Sequence, residues 1–214
     1  MASRRSEDMA TSDELTTPRA LRTRAALLRA TRELIEERGC EAVTMAAVAE
    51  RAGVTRRAVY LHFASRPELV AALFEHVVET EGLASSTARV WAASDSLSAL
   101  DEWAGHMARF HPRVIGITRA IEQVQRSDPD AAAHRQRYLD EQLTACRKLA
   151  AWLERDGRLA SRWTVTTAGD MLFALLAVDL FERLLTERHW SQRRLREMLE
   201  VLLRATFVDD AARS

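Results

Sequence analysis

Two arginines, a tyrosine, a leucine and a histidine fall within seven residues in the stretch AGVTRRAVYLHFASRPEL, residues 52–69. A guanidinium is a rigid fork of donors that fits a phosphate, or the O6 and N7 edge of guanine. Leu61 beside it can meet a thymine methyl, and the tips of Tyr60 and His62 can bond a nucleic-acid backbone. This is chemistry of recognition. Groups for bond-breaking are sparse elsewhere. His106 and His111 are five apart, off the four-residue spacing that aligns two ligands on one helical face. The chain has no HExxH, no GxSxG and no glycine-rich phosphate loop. Cys40 and Cys146 are its only cysteines and form no CxxC or metal-ligand pattern. They read as two structural thiols in a reducing compartment, with a redox switch between them as the alternative. No catalytic residue, metal or cofactor is expected.

Such a cluster needs a scaffold, and the local signals supply one. Gly53 can end a preceding helix in the left-handed region. Thr55 can cap the next helix. Val59 and Phe63, four apart, would anchor it to a core with Val54. Arg57, Tyr60 and Leu61 fall on another face, with Arg56 at its edge. Ser65 opens a further helix, with Pro67 in its first turn and Glu68 completing a capping box. Upstream, TMAAVAERA is a second short helix with Thr44 as N-cap. Helix, glycine turn, helix at this spacing predicts a helix-turn-helix, whose second helix lies in the DNA major groove. The plainer alternative is a helical hairpin with solvated arginines. The turn, the core pair, the tyrosine and the capped following helix together favour double-stranded DNA as partner.

Charge supports that division. The 214 residues carry no net charge. Yet residues 18–66 hold ten arginines against five glutamates, so +5, while residues 1–17 sum to −2 and the remainder to −3. A basic module on a mildly acidic body is the asymmetry of a DNA reader with a second domain. The arginine bias runs through the whole chain, with Lys148 the single lysine, and so is no signal by itself. No apolar run approaches the roughly 18–20 residues that span a membrane. The start, MASRRSEDMATSDELTTP, lacks the apolar core of a signal peptide. Residues 1–17 read as a disordered tail and the protein as cytoplasmic.

The rest of the chain reads as all-α, with no alternating stretch that competes for strand. Helices are expected over about 18–38, from Ser65 onward, over about 95–110, then a shorter one after Pro112, and over 129–155, 166–188 and 191–207. Residues 83–94 are expected to be a loose connection, and RDGRLASRW a turn-rich one. Pro18, Pro67, Pro112 and Pro129 sit where helices can begin, and Gly39, Gly53, Gly82 and Gly157 where they can end.

The stretch LLRATRELIEERGCEAVTMAAVAERAGVTRRAVYLHFASRPEL, residues 27–69, resembles the DNA-binding signature of the tetracycline-repressor (TetR) family of bacterial transcription regulators, in order and without gaps. The resemblance covers about a fifth of the chain. It implies that Thr44 bonds a phosphate and that Thr55, Arg56 and Arg57 head the recognition helix. Tyr60 and His62 match the family's backbone-touching pair. Arg66 stands where the family usually has lysine, which keeps the charge and alters the geometry. Cys40 and Ile35 replace common aromatics. The implied architecture is a three-helix DNA-binding domain at 18–66 and a helical effector-binding and dimerisation domain at 67–214. The implied function is a ligand-responsive regulator, a repressor released from a two-fold operator by an apolar or aromatic small molecule.

Aromatic and polar residues of the body are the candidates for that pocket: Trp103, His106, Met107, Phe110, Gln123, Tyr138, Trp152, Asp170 and Phe173. Taken singly, each also fits an ordinary core or surface role. A homodimer is expected because one helix-turn-helix reads only a few base pairs. Its candidate interface is Leu172, Leu175, Leu176, Phe181 and Leu184 with Leu195, Met198, Leu199 and Leu202, which would close a four-helix bundle. The plainer alternative is that both helices complete the monomer core. An effector-independent architectural DNA-binding protein is a rival reading, disfavoured by the 148 residues after the reader. A small helical enzyme is a second rival with little support.

Overall fold

A computed structural model describes residues 17–124 and 129–209 of the chain. Among them the α-helices are α1 (Pro18–Arg38), α2 (Met45–Ala52), α3 (Arg56–His62), α4 (Arg66–Thr80), α5 (Leu83–Trp91), α6 (Ser96–Val124), α7 (Pro129–Arg155), α8 (Val165–Ala174), α9 (Val178–Glu182) and α10 (Gln192–Phe207). No strand occurs among the described residues beyond an isolated bridge between Leu159 and Val208. The chain is all-α, as its periodicity predicts. It divides into two compact units, residues 1–76 with 119–131, and residues 77–118 with 132–214. The division at 66/67 expected from sequence does not coincide with these units, because α4 starts inside the first. Of the expected tail, residues 1–16 lie outside the described residues. Thr17 belongs to α1, whose first turn it caps by accepting from the Ala20 N–H at 3.2 Å.

The first unit is built around Leu27, Leu34, Val48, Val59, Phe63, Leu69 and Leu73, all buried. Complete burial of one such side chain is worth roughly 1.5–3 kcal/mol. The caps fall where the sequence puts them. Thr44 and Thr55 accept from the N–H groups of Ala47 (3.0 Å) and Ala58 (3.2 Å). Gly53 is left-handed at φ 67, and its N–H returns to the end of α2. At α4 the box is shifted by one residue. Ser65 Oγ accepts from the Glu68 N–H, but the Glu68 carboxylate accepts from the Ala64 N–H at 2.6 Å. Arg51 ties α2 to α1 through Glu33 and Glu37.

The second unit has one continuous core, including Val90, Leu100, Trp103, Met107, Leu149, Leu172, Phe181, Leu195 and Phe207. Three expectations are corrected here. Residues 83–91 form a helix, not a loose connection. Leu83, Thr87 and Val90 keep helical spacing, and the Ser85 and Thr87 hydroxyls bond back to Gly82 and Leu83 carbonyls, so the polar run does not compete with the helix. Pro112 starts no helix, since it lies inside α6. Proline there sacrifices a hydrogen bond. Yet Trp103, Met107, Phe110, Val114, Ile117 and Ile121 repeat at alternating steps of four and three, all buried, so one apolar stripe runs through it in phase. The helix expected over 166–188 is broken into α8, α9 and a π-helical segment, Arg183–Glu187. Leu176 and Val178 would face opposite ways on a straight helix. The break at Ala177 (φ −58, ψ 130) lets both be buried.

Candidate nucleic-acid interface and ligand cavity

α3 turns Val59 and Phe63 inward, 0% and 1% exposed, and leaves Tyr60 and Leu61 46% and 59% exposed. Thr44, Thr55, Arg56 and Arg57 are exposed with them. The Arg56 guanidinium lies 5.7 Å from the Tyr60 ring centroid and donates to its hydroxyl at 3.4 Å. That contact pre-orders a cation and a phenol on one face. His62 is half-buried, and burial, aided by Arg24, holds its imidazole below its ordinary pKa. It is therefore a neutral hydrogen-bonding group at neutral pH. Arg66 is turned inward: Nη2 donates to the Cys40 carbonyl at 2.8 Å and lies 3.1 Å from its sulfur. Its charge remains at the start of α4, while one edge of the fork is spent. Sequence reasoning missed Arg24, which stacks 4.5 Å over Phe63 and reaches the His62 carbonyl at 3.5 Å, fixing the end of α3.

The body residues proposed for a ligand do not converge as one set. Trp103, His106 and Tyr138 do meet, in a cavity of about 260 Å³ within the second unit. Leu83, Ala84 and Thr87 of α5, Gln142 and Ala145 of α7, and Leu176 complete much of its wall. Its charged lining groups are Glu79 and Glu141. His106 is 4% exposed, with Nδ1 3.0 Å from Ser86 Oγ. Burial, with a smaller push from Arg109, lowers its pKa to about 4, so the ring is neutral. Burial raises the Tyr138 phenol to about 12, and its oxygen accepts from Gln142 at 3.1 Å. The wall thus offers aromatic faces and neutral polar tips, with the carboxylates of Glu79 and Glu141 among its lining groups.

The others lie apart from that cavity's wall. Met107 is buried in the core, and Phe110 stacks on His106 at 5.6 Å. Gln123 belongs to the first unit and reaches Glu41 at 3.4 Å. Asp170 is an exposed partner of Arg147 at 2.9 Å. Trp152 is half-buried, with Arg155 over its ring, and Phe173 is half-buried too. The signal that could have found the α7 wall is Tyr138, Glu141, Gln142 and Ala145, spaced three and four apart on one helical face.

The interface candidates also separate. Leu172, Phe181, Leu195 and Leu199 are at most 3% exposed, and Leu176 is 8% exposed. They fill this chain's own core and have no surface left for a partner. Met198 and Leu202 remain 42% and 43% exposed, and Leu175 and Leu184 are half-buried. Met171 and Val201, not anticipated, are 42% and 60% exposed.

Against known proteins, residues 27–73 match the family model described as bacterial regulatory proteins, tetR family. TtgR of Pseudomonas putida, an HTH-type transcriptional regulator, is 44% identical over 61 residues, 28% of this chain and 29% of TtgR. ArpR, also of Pseudomonas putida, is 40% identical over 81 residues, 38% of this chain and 37% of ArpR. The chain thus spans little more than a third of the curated relatives it matches, or less. Among solved structures, a transcriptional regulator from Saccharomonospora viridis in complex with choline aligns with TM-score 0.74 at 15% identity, over 87% of this chain and 97% of that one. NalD of Pseudomonas aeruginosa, the secondary repressor of the MexAB-OprM multidrug efflux pump, aligns with TM-score 0.68 at 24% identity, over 91% and 100%. Residues 27–73 thus resemble the DNA-binding part of the tetR family of bacterial regulatory proteins, and at these identities the likeness of the rest to these structures is one of fold.

Proposed function

We propose that this chain is an effector-responsive DNA-binding regulator, a repressor that reads a two-fold operator as a homodimer. The observation that carries the reading is α3, anchored by fully buried Val59 and Phe63 while Arg56, Arg57, Tyr60 and Leu61 stay exposed. Arg57 reads a base edge, and Tyr60, Thr44 and Thr55 meet phosphates. The functional division into a reader at 18–66 and a receptor at 67–214 belongs to the same proposal. The effector is an apolar or aromatic small molecule that enters the cavity beside Trp103 and Tyr138. It acts by binding the DNA-free form more tightly than the DNA-bound form. α4, whose residues belong to both units, is the coupler. Exposed Met171, Met198, Val201 and Leu202 supply the dimer surface. NalD's being a repressor supports the sign of regulation.

The test is selection of duplexes from a random library, followed by titration of variants against the selected operator and a scrambled duplex. Arg57→Ala is expected to lose about 1–3 kcal/mol on the operator alone. Tyr60→Phe is expected to weaken both duplexes alike. Folded variants that bind as wild type would refute the assignment of this face.

A further inference from the structure

A second cleft in the same unit differs from the apolar cavity in every respect that selects a ligand. It measures about 130 Å³, and its wall includes Arg89, Arg109 and Arg113 with Ser85 and Ser86. We propose that this cleft binds a small oxyanion, a phosphate or carboxylate group. Glu81 is the one acid in the wall, so the lining is positive by two. The volume suits a single anionic group and is half that of the apolar cavity.

The three guanidiniums are differently engaged. Arg109 spends Nη2 on Glu102 at 3.2 Å, and its Nε is buried without a partner. A buried donor left unpaired is costly, and an oxyanion in the cleft is the group that would satisfy it. Gly105 makes this placement possible, since a Cβ there would lie 2.7 Å from Arg109 Nη1. Arg113 is held at the rim by Glu81, through its carboxylate at 3.5 Å and its carbonyl at 3.3 Å. Arg89 is exposed and makes no hydrogen bond or ion pair among the described residues. α5 adds a weaker attraction. It begins at left-handed Gly82 with no side-chain cap, so its first N–H groups remain open to an anion. The cleft and the apolar cavity share a wall: Ser86 lines the cleft, and its hydroxyl bonds His106, which lines the cavity.

The full-length protein, labelled with nitrogen-15, is titrated with inorganic phosphate, with acetate, and with chloride at matched ionic strength. Saturable shifts of the Gly82, Ser85 and Ser86 amides, which lie in the cleft wall, are expected with phosphate or acetate and absent with chloride, and the stronger arm names the source. Arg89→Gln and Arg109→Gln should each weaken binding about tenfold, the effect of losing one charged hydrogen bond. Arg147→Gln, which removes the same charge at an exposed pair with Asp170, should leave it unchanged. Arg89→Gln decides the matter if Arg109→Gln does not fold. Equal shifts from all three salts, or an Arg147→Gln loss equal to that of Arg89→Gln, would overturn the proposal.

Discussion

Under the dimer proposal, replacing Leu202 by glutamate should separate dimerisation from folding. Leu202 keeps 43% of its surface exposed, whereas its neighbours on the inner stripe of α10, Leu199 and Leu203, keep 3% and 0%. Full burial of a leucine is worth roughly 1.5–3 kcal/mol, so covering the rest of Leu202 in a dimer is worth about 1 kcal/mol per chain. A two-fold axis counts this twice. Glutamate forfeits that gain and leaves a carboxylate facing a desolvated surface, for which an unpaired charge costs about 3–5 kcal/mol. The total of at least ~5 kcal/mol is on the order of 10³–10⁴ in the dimer dissociation constant. The monomer should keep its helix content, because the inner stripe is untouched. Sedimentation from nanomolar to micromolar concentration, with circular dichroism alongside, measures both quantities. Leu199→Ala is the contrast: it should lose about 2–5 kcal/mol of stability through a core cavity. A folded Leu202→Glu protein that dimerises like wild type would refute the assigned face.

Three further outcomes are expected. Ala145→Phe should fill the cavity wall beside Tyr138 and abolish effector response while operator affinity in the absence of effector stays within threefold, roughly the span of a surface substitution; unchanged response in an induction assay would remove the cavity from the mechanism. Gly53→Ala should cost about 1–2 kcal/mol, because Gly53 is left-handed at φ 67 with nothing within 4 Å, so the cost is backbone alone; amide exchange across α2 and α3 measures it. Burial holds His106 at about 4, and burial with the nearby His106 holds His111 at about 3. The unfolded chain takes up both protons near pH 6.5, so their contribution to stability is complete above that value. It is lost as pH falls towards 4 and then 3, at about 1.4 kcal/mol per pKa unit per group. Urea melts at pH 7.5, 6 and 5 check the slope, and a His106 that titrates near 6.5 by NMR would refute its burial as the cause.

The helix-turn-helix was legible because its signals are local. A threonine cap, a glycine at positive φ and an anchor pair four residues apart each act within one turn of helix, and the structure repeats them at Thr44, Gly53, Thr55, Val59 and Phe63. Where the deciding term is not local, the sequence misleads. Pro112 carries a strong local signal to start a helix, and a buried stripe spanning Trp103 to Ile121 outweighs it. The Ser-Ser-Thr run of α5 looks like a linker until the Ser85 and Thr87 hydroxyls are seen bonded to the preceding carbonyls. In MLFALLAV, residues 171–178, every position is apolar, so no periodicity marks the break at Ala177.

The same limit explains why the exposed apolar face proposed for a dimer was half-legible. α10 carries two apolar stripes. Leu195, Leu199, Leu203 and Phe207 recur every four residues, and Met198, Val201 and Leu202 fall between them. Hydrophobicity says that both stripes leave water and not which neighbour covers each. Packing decides it: the first stripe is at most 3% exposed within one chain, while the second keeps 42–60% of its surface. A second copy is the partner of the second stripe under the dimer proposal, and the first has no surface left to offer one. Substitutions at Leu195 or Leu199 therefore report on folding, those at Met198, Val201 or Leu202 report on association, and loss of operator binding can be assigned to a cause only when the two sets are compared.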